Sequence, residues 1–299
     1  MKKLGYLFLI TVTALAFAAV SCDDDDLDPE SVIVTYSTVQ NDFDKWLEVN
    51  YVNTYNIDFK YRYEEVEADY NYYTVPADYD QSVELAHIVK YICIEAYDEC
   101  AGIDFTRAYF PKEFFLIGTW EYNNNGTYIL GTAEGGKKIL LAGVNFLDQY
   151  RNNAYNLNNY YLKTIHHEFT HILNQTKDMP TSYQFVTQDG YVADMWSEDP
   201  YDSDYLTRGF ISAYSQKEYT EDFAEILSMY VCYDSTQWDL WMEEAGEEGA
   251  ELIEAKLTLV RDYMADSWDV DIDELHDCIQ RRQEDLFDGK IDLTDLTID

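Results

Sequence analysis

Apolar residues recur at helical spacing in two early stretches, VQNDFDKWLEVNYVNTY (39–55) and DYDQSVELAHIVKYICIEAYDECAG (78–102), the second closing on a glycine stop signal. Between them, NIDFKYRYEEVEADY (56–70) alternates apolar and polar positions, the mark of a strand or of a tyrosine-rich loop. The pattern changes between Phe114 and Phe146. EFFLIGTWEY, GTYILGT and KKILLAGVNF are short apolar runs separated by turn-forming NNNG and EGG, and they read as a small antiparallel sheet. Helical spacing returns from about Asn158 to Gln175, and an irregular stretch rich in Asp, Ser, Tyr and Gly follows. So long a connection is uncommon in a compact domain unless it serves a function. TEDFAEILSMYVC (220–232) and acidic amphipathic segments from about 236 to Phe287 complete the pattern. Together these elements predict an α+β fold: a small antiparallel or mixed sheet packed on the helix near 170, the remainder mostly helical.

Composition narrows the class. A chain of 299 residues with 47% hydrophobic content can bury a core. Its 58 acidic against 20 basic residues give a net charge of −38, which argues against nucleic acid or anionic lipid as a partner, since phosphates are held by Lys and Arg. Acidity by itself names no positive partner.

The N-terminus reads as an address. Lys2 and Lys3 precede an apolar run from Leu4 to Val20, too short and wrongly flanked for a stable span, as in a secretory signal. The run stops at AAVSC, which resembles the lipobox of bacterial lipoproteins, with Cys22 as the acylated residue; Ala19 stands where Leu is more usual. Asp23 to Asp26 resemble the acidic tag of surface-exposed lipoproteins in some Gram-negative gut bacteria. The expected organisation is a signal peptide at 1–21, a lipidated acidic tether at 22–30 and one catalytic domain at 31–299. Of the remaining cysteines, Cys93 and Cys100 lie about 10 Å apart along a predicted helix, too far to bridge each other. No CxxC or Cys/His cluster of metal-binding spacing appears, so buried thiols are expected.

Three of the five histidines fall within YYLKTIHHEFTHILNQ (160–175). On a helix, His167 and His171 stand one turn apart on one face, about 6 Å in rise, where both imidazoles can converge on one ion. Leu162, Ile165, Phe169, Ile172 and Leu173 gather on the opposite side. Glu168 projects between the two faces, within reach of a metal-activated water without being a ligand. His166 faces neither side cleanly and is expected to pack. Catalytic zinc takes three protein ligands and keeps one open position. The extended HExxHxxGxxH arrangement is excluded because position 177 is Lys, so a carboxylate must complete the set. EYTEDFAEILS offers Glu221 and Glu225 on one face, with Ala224 and Ser228 between them small enough for close helix packing. Asp222 is a weaker candidate, pointing about 100° away. GTAEGG lacks the Lys-Ser/Thr of a phosphate-binding loop, and EDPYDSD lacks EF-hand spacing.

HExxH followed dozens of residues later by a helix bearing ExxxE resembles the gluzincin metallopeptidases. That resemblance implies Glu221 as the third zinc ligand and Glu225 as the group that holds a ligand histidine. The block HHEFTHILNQ…RGFISAYSQKEYTEDFAE is more similar still to a family of zinc-binding metallopeptidases that are lipoproteins associated with substrate import in gut bacteria. Tyr214 stands seven residues before Glu221, the spacing at which the glutamate-zincin pattern places a tyrosine assisting at the oxyanion. The resemblance implies a Zn²⁺ peptidase acting on peptides, proteins or glycoproteins from the exterior of the outer membrane, with nutrient-import proteins as partners. Glu168 serves as general base in that scheme. A second reading keeps the fold without the reaction, as an accessory or binding lipoprotein of an import complex; a retained general base argues for the enzyme. Metabolic labelling with palmitate is expected to mark the chain and to be lost in Cys22→Ala, and a Cys22→Ala chain that still takes up label would exclude this anchor.

Overall fold

A computed structural model describes residues 39–123, 127–134 and 137–298, and its contacts gather Asn41–Asp299 into one unit. The signal segment, Cys22 and the acidic tether lie outside the described residues. Helix α1 (Asp42–Leu47) opens on a capping box: the Asn41 side chain accepts from the Asp44 amide at 2.8 Å, and the Asp44 carboxylate accepts from the Asn41 amide at 2.9 Å. It widens into a π turn over Glu48–Asn53. Strand β1 is only Asp58–Lys60, so most of the alternating stretch is irregular. Helix α2 (Tyr79–Ile88), capped by Asp78, runs through a second π turn into α3 (Glu95–Ala101). Gly102 at φ 84° ends α3 in a conformation that side chains disfavour, and α4 (Ile103–Tyr109) begins beyond it.

The sheet segment then folds as β2 (Glu113–Leu116), β3 (Glu121–Tyr122), β4 (Tyr128–Ile129), β5 (Gly131–Glu134) and β6 (Lys138–Leu141). The four-stranded order is β1-β2-β6-β5; β1/β2 and β2/β6 are parallel and only β5/β6 is antiparallel. The purely antiparallel reading of this segment is thus corrected to a mixed sheet. Phe114, Phe115, Leu116, Ile139, Leu140 and Leu141 are all buried, giving the continuous apolar run of strands covered on both faces rather than alternation. The antiparallel hairpin does form, as the separate β3/β4 ladder between the parallel neighbours.

After two short helices, α5 (Leu147–Tyr150) and α6 (Ala154–Leu157), a π turn at Asn158–Leu162 leads into α7 (Lys163–Thr176), which carries the HExxH residues. Strand β5 lies close to α7 at Gly131, where a Cβ would come within 2.5 Å of Thr164 Cγ2. From the other side Phe169 packs on Tyr97 and Phe110, with ring centroids 5.0 and 4.8 Å apart. The irregular connection that follows α7 contains only short 3-10 turns. It is drawn together by its own hydrogen bonds, Val192 N to Gln216 O at 2.7 Å and Gln216 Nε2 to Tyr201 O at 2.6 Å. Helices α8 (Tyr219–Cys232), α9 (Ser235–Trp268, broken at Gly246) and α10 (Ile272–Phe287) complete the fold. No helix among the described residues is long and apolar enough to cross a membrane.

At the sheet edge Glu67 bridges two strands, 2.7 Å from Lys60 of β1 and 2.8 Å from Lys138 of β6. Hydrogen bonds from Lys138 and Lys60 hold its carboxyl down at about 2. A depressed pKa contributes stability that is complete above the ordinary value of 4.5 and disappears as the pH falls through about 2. The Tm difference between the wild type and Glu67→Gln is therefore expected to shrink between pH 4.5 and 2; a difference constant across that range would remove the carboxylate from this role.

Candidate metal centre

Helices α7 and α8 pack against each other, and Ala224 and Ser228, on the same side of α8 as Glu221 and Glu225 by helical spacing, are fully buried. This brings His167 and His171 to Glu221 across a sequence gap of 54 and 50 residues. His167 Nε2, His171 Nε2 and Glu221 Oε2 form a triangle with every side 3.1 Å. A tetrahedral shell with zinc–ligand bonds of about 2.0–2.1 Å has edges of about 3.3–3.4 Å, so the triangle is close to one face of such a shell. The donor set fits as well as the spacing does. Two imidazole nitrogens and one carboxylate oxygen turned toward a common point are a donor set that zinc takes, and a cation above the triangle would satisfy all three atoms together. Among the described residues this trio is the group of His, Cys, Asp and Glu side chains placed to hold a metal ion.

The surrounding shell is charged and specific. Glu225 Oε1 stands 2.8 Å from His167 Nδ1, off the axis of a linear hydrogen bond, and Lys163 Nζ lies 3.1 Å from the same oxygen. Ser212 Oγ donates to Glu225 Oε2 at 2.6 Å. Lys217 Nζ donates to Glu221 Oε1 at 3.0 Å and to the Tyr214 hydroxyl at 3.1 Å, so the tyrosine borders the ligand carboxylate. Its ring sits 6.0 Å from that of His167 and 5.1 Å edge-on from Trp196. Glu168 is buried on α7 beside the trio. A cavity of about 450 Å³ opens next to His171, bordered by Asn174, Met179, Gln184 and Tyr219.

These contacts set the charges. Burial would raise Glu221 and Glu225, but His167 and His171 pull Glu221 well below the carboxylate range, and Lys163 with His167 does the same for Glu225. Burial would lower His167, yet Glu221 and Glu225 outweigh it and hold the imidazole of the metal-free site up at about 10, so a metal taken up there would displace its proton. Burial, then the Glu221 charge, push the Tyr214 hydroxyl up, so it stays a donor at neutral pH. His166 is the opposite case: wholly buried, depressed to about 3 by burial, with Nδ1 3.1 Å from the Tyr97 hydroxyl. It packs away from the trio.

Asp222, the weaker candidate, points elsewhere. It forms a fully buried ion pair with Lys256 at 2.6 Å and accepts from the Tyr191 hydroxyl at 2.9 Å. Lys256 also donates to Gly209 O at 2.7 Å and lies 3.9 Å above the Phe210 ring. This pair fastens α8 to α9 and to the end of the irregular connection, next to the ligand carboxylate. Sequence reasoning did not find Lys163, Lys217 or Ser212. Lys163 precedes His167 by four positions on one face of α7, a spacing that could have flagged it, whereas Lys217 precedes Glu221 by four from just outside α8. Ser212 comes from a segment without periodicity.

Residues 36–273 match a family model described as "Putative zinc-binding metallo-peptidase". A solved structure of the same description, from Bacteroides caccae, is 43% identical and superposes with a TM-score of 0.74, covering 86% of this chain and 96% of that one. No curated protein matches. Truncating Lys256 to Ala would leave Asp222 charged, buried and unpaired, a loss of about 3–5 kcal/mol. Urea unfolding of Lys256→Ala is expected to show it, with much of the loss recovered when Asp222→Asn is added; an unchanged urea midpoint would rule the pair out as a fastening.

Proposed function

Because the chain belongs to this family of zinc-binding metallo-peptidases, we propose that it hydrolyses peptide bonds at the His167–His171–Glu221 centre, with the gluzincin division of roles. The observation that carries this reading is the 3.1 Å triangle of those three ligand atoms, with Glu168 beside it on the same helix. Zinc bound by His167, His171 and Glu221 would supply a Lewis acid for the scissile carbonyl and lower the pKa of a water molecule. Glu168 takes the proton of the attacking water and passes it to the leaving amine. Tyr214, kept protonated by burial and by the Glu221 charge, donates a hydrogen bond to the oxyanion. Glu225, itself held by Lys163 and Ser212, orients His167 and strengthens it as a ligand. The adjoining cavity offers space for the substrate chain.

We propose further that the enzyme works from the outer face of the outer membrane, tethered through Cys22, on peptides or glycoproteins beside nutrient-import proteins. That part rests on the residue order at the N-terminus and on the family resemblance.

Elemental analysis of the purified chain is expected to give one zinc per molecule, largely lost in Glu221→Ala. Glu225→Gln should weaken zinc affinity by roughly 10–100-fold. Against a peptide library, Glu168→Gln should keep the metal and lose roughly 10²–10⁴-fold in kcat. A zinc-free parent after reconstitution would overturn the metal centre, and a fully zinc-loaded parent that cleaves no peptide would turn the reading to an accessory lipoprotein.

A further inference from the structure

Two cysteines far apart in sequence meet where the last helix crosses α3. Cys100 sits in the final turn of α3 and Cys278 near the middle of α10; the two helices pack on each other there, and the Cys100 side chain interacts with that of Cys278. Arg281 Nη2 and Arg282 Nε approach the same sulfur at 3.4 and 3.3 Å. Both guanidiniums also grip α3: Arg281 donates to Glu99 at 2.6 Å, and Arg282 to Glu99 at 2.9 Å and to Glu95 at 3.2 Å. Charge pairs on neighbouring turns therefore hold the two helix faces in register with the sulfurs between them. The other two described cysteines, Cys93 and Cys232, are completely buried, and burial pushes both of their thiols up.

We propose that Cys100 and Cys278 are a redox pair that closes to a disulfide by exchange with an external disulfide, stitching the last helix to α3. The neighbouring Cys100 side chain, then the Arg282 guanidinium 3.3 Å away, favour the thiolate of Cys278 over its thiol, while Cys100 keeps its proton. Cys100 is half-exposed and Cys278 buried, so the incoming disulfide meets Cys100 first. Cys278 takes the Cys100 proton as the Cys100 sulfur attacks, forming a mixed disulfide and releasing one thiol. Cys278 then gives that proton to water, attacks the Cys100 sulfur, and releases the second thiol. Starting from one thiol and one thiolate, the pair gives up one proton and two electrons, and the external disulfide becomes two thiols by taking those electrons with that proton and one more from water.

The bond would act on the metal helix at a distance. From α10, Gln280 Nε2 donates to the carbonyls of Val231 and Cys232, both at 3.0 Å, and Gln283 Nε2 donates to Cys232 O at 3.0 Å. These amides close the C-terminal end of α8, whose first turn carries Glu221. A disulfide between α10 and α3 fixes that closure and encloses a loop of more than half the chain, the geometry in which a cross-link most restricts the unfolded state.

The test is incubation of the full chain in detergent with oxidised glutathione at neutral pH, then alkylation under denaturing conditions and peptide mapping without reduction. The expected result is a linked Cys100–Cys278 peptide, two fewer alkylatable thiols, and a Tm higher by roughly 5–10 °C that dithiothreitol reverses. Cys278→Ser should instead accumulate glutathione on Cys100. Wild-type protein in which both thiols remain alkylatable, or in which glutathione persists on Cys100 unresolved, would overturn the proposal. The wild-type comparison decides the matter even where a variant folds poorly.

Discussion

The close approach of α7 and α8 is the constraint on which the rest of the structure depends. Two imidazoles on one helix and a carboxylate on another reach 3.1 Å separation only if the helix axes come near, and Ala224 and Ser228 keep the facing side of α8 small enough for that. The large residues of both helices, Phe169, Phe223, Ile226 and Leu227, are all buried in the core. Shape is thus settled by what is absent at two positions as much as by what is present around them.

Charge is the second theme, and it is distributed with economy. The chain has 20 basic residues against 58 acidic ones, yet lysines stand at each of the three acids in the first half of α8: Lys217 on Glu221, Lys256 on Asp222 and Lys163 on Glu225. Without them, three carboxylates within two turns would repel one another in a medium that screens poorly. The lysines come from three different segments, so the acidic helix is neutralised only when the surrounding chain has folded around it. Solvated surface acids ask for no such arrangement.

Much of this was legible in the sequence. Spacing alone placed His167, Glu168 and His171 on a helix, and the structure brings Glu221, Glu225 and Tyr214 to the same place. The sheet was read less well. EFFL and KILL are uninterrupted apolar runs, and turn residues around them suggested hairpins, whereas burial on both faces put them side by side in parallel. The cationic partners were not foreseen: Lys163 looks like an ordinary surface lysine until α8 lies against α7, and the Lys217–Glu221 pair straddles the start of α8, where no helical periodicity joins the two. Ser212 and the Asp222–Lys256 pair depend on contacts across the irregular connection, and no local pattern encodes those.

The gap of 50 residues between His171 and Glu221 has a bearing on when the centre comes into being. A chain emerging from synthesis presents two imidazoles on α7 long before the carboxylate arrives, and two neutral nitrogens on a solitary helix make a poor cage. Closing that interval costs chain entropy, which the apolar contact of the two helices must offset before any ion can be gripped by all three side chains. Metal loading is therefore a late event in the folding of the molecule, and the three-residue cage stays incomplete until α8 has packed on α7.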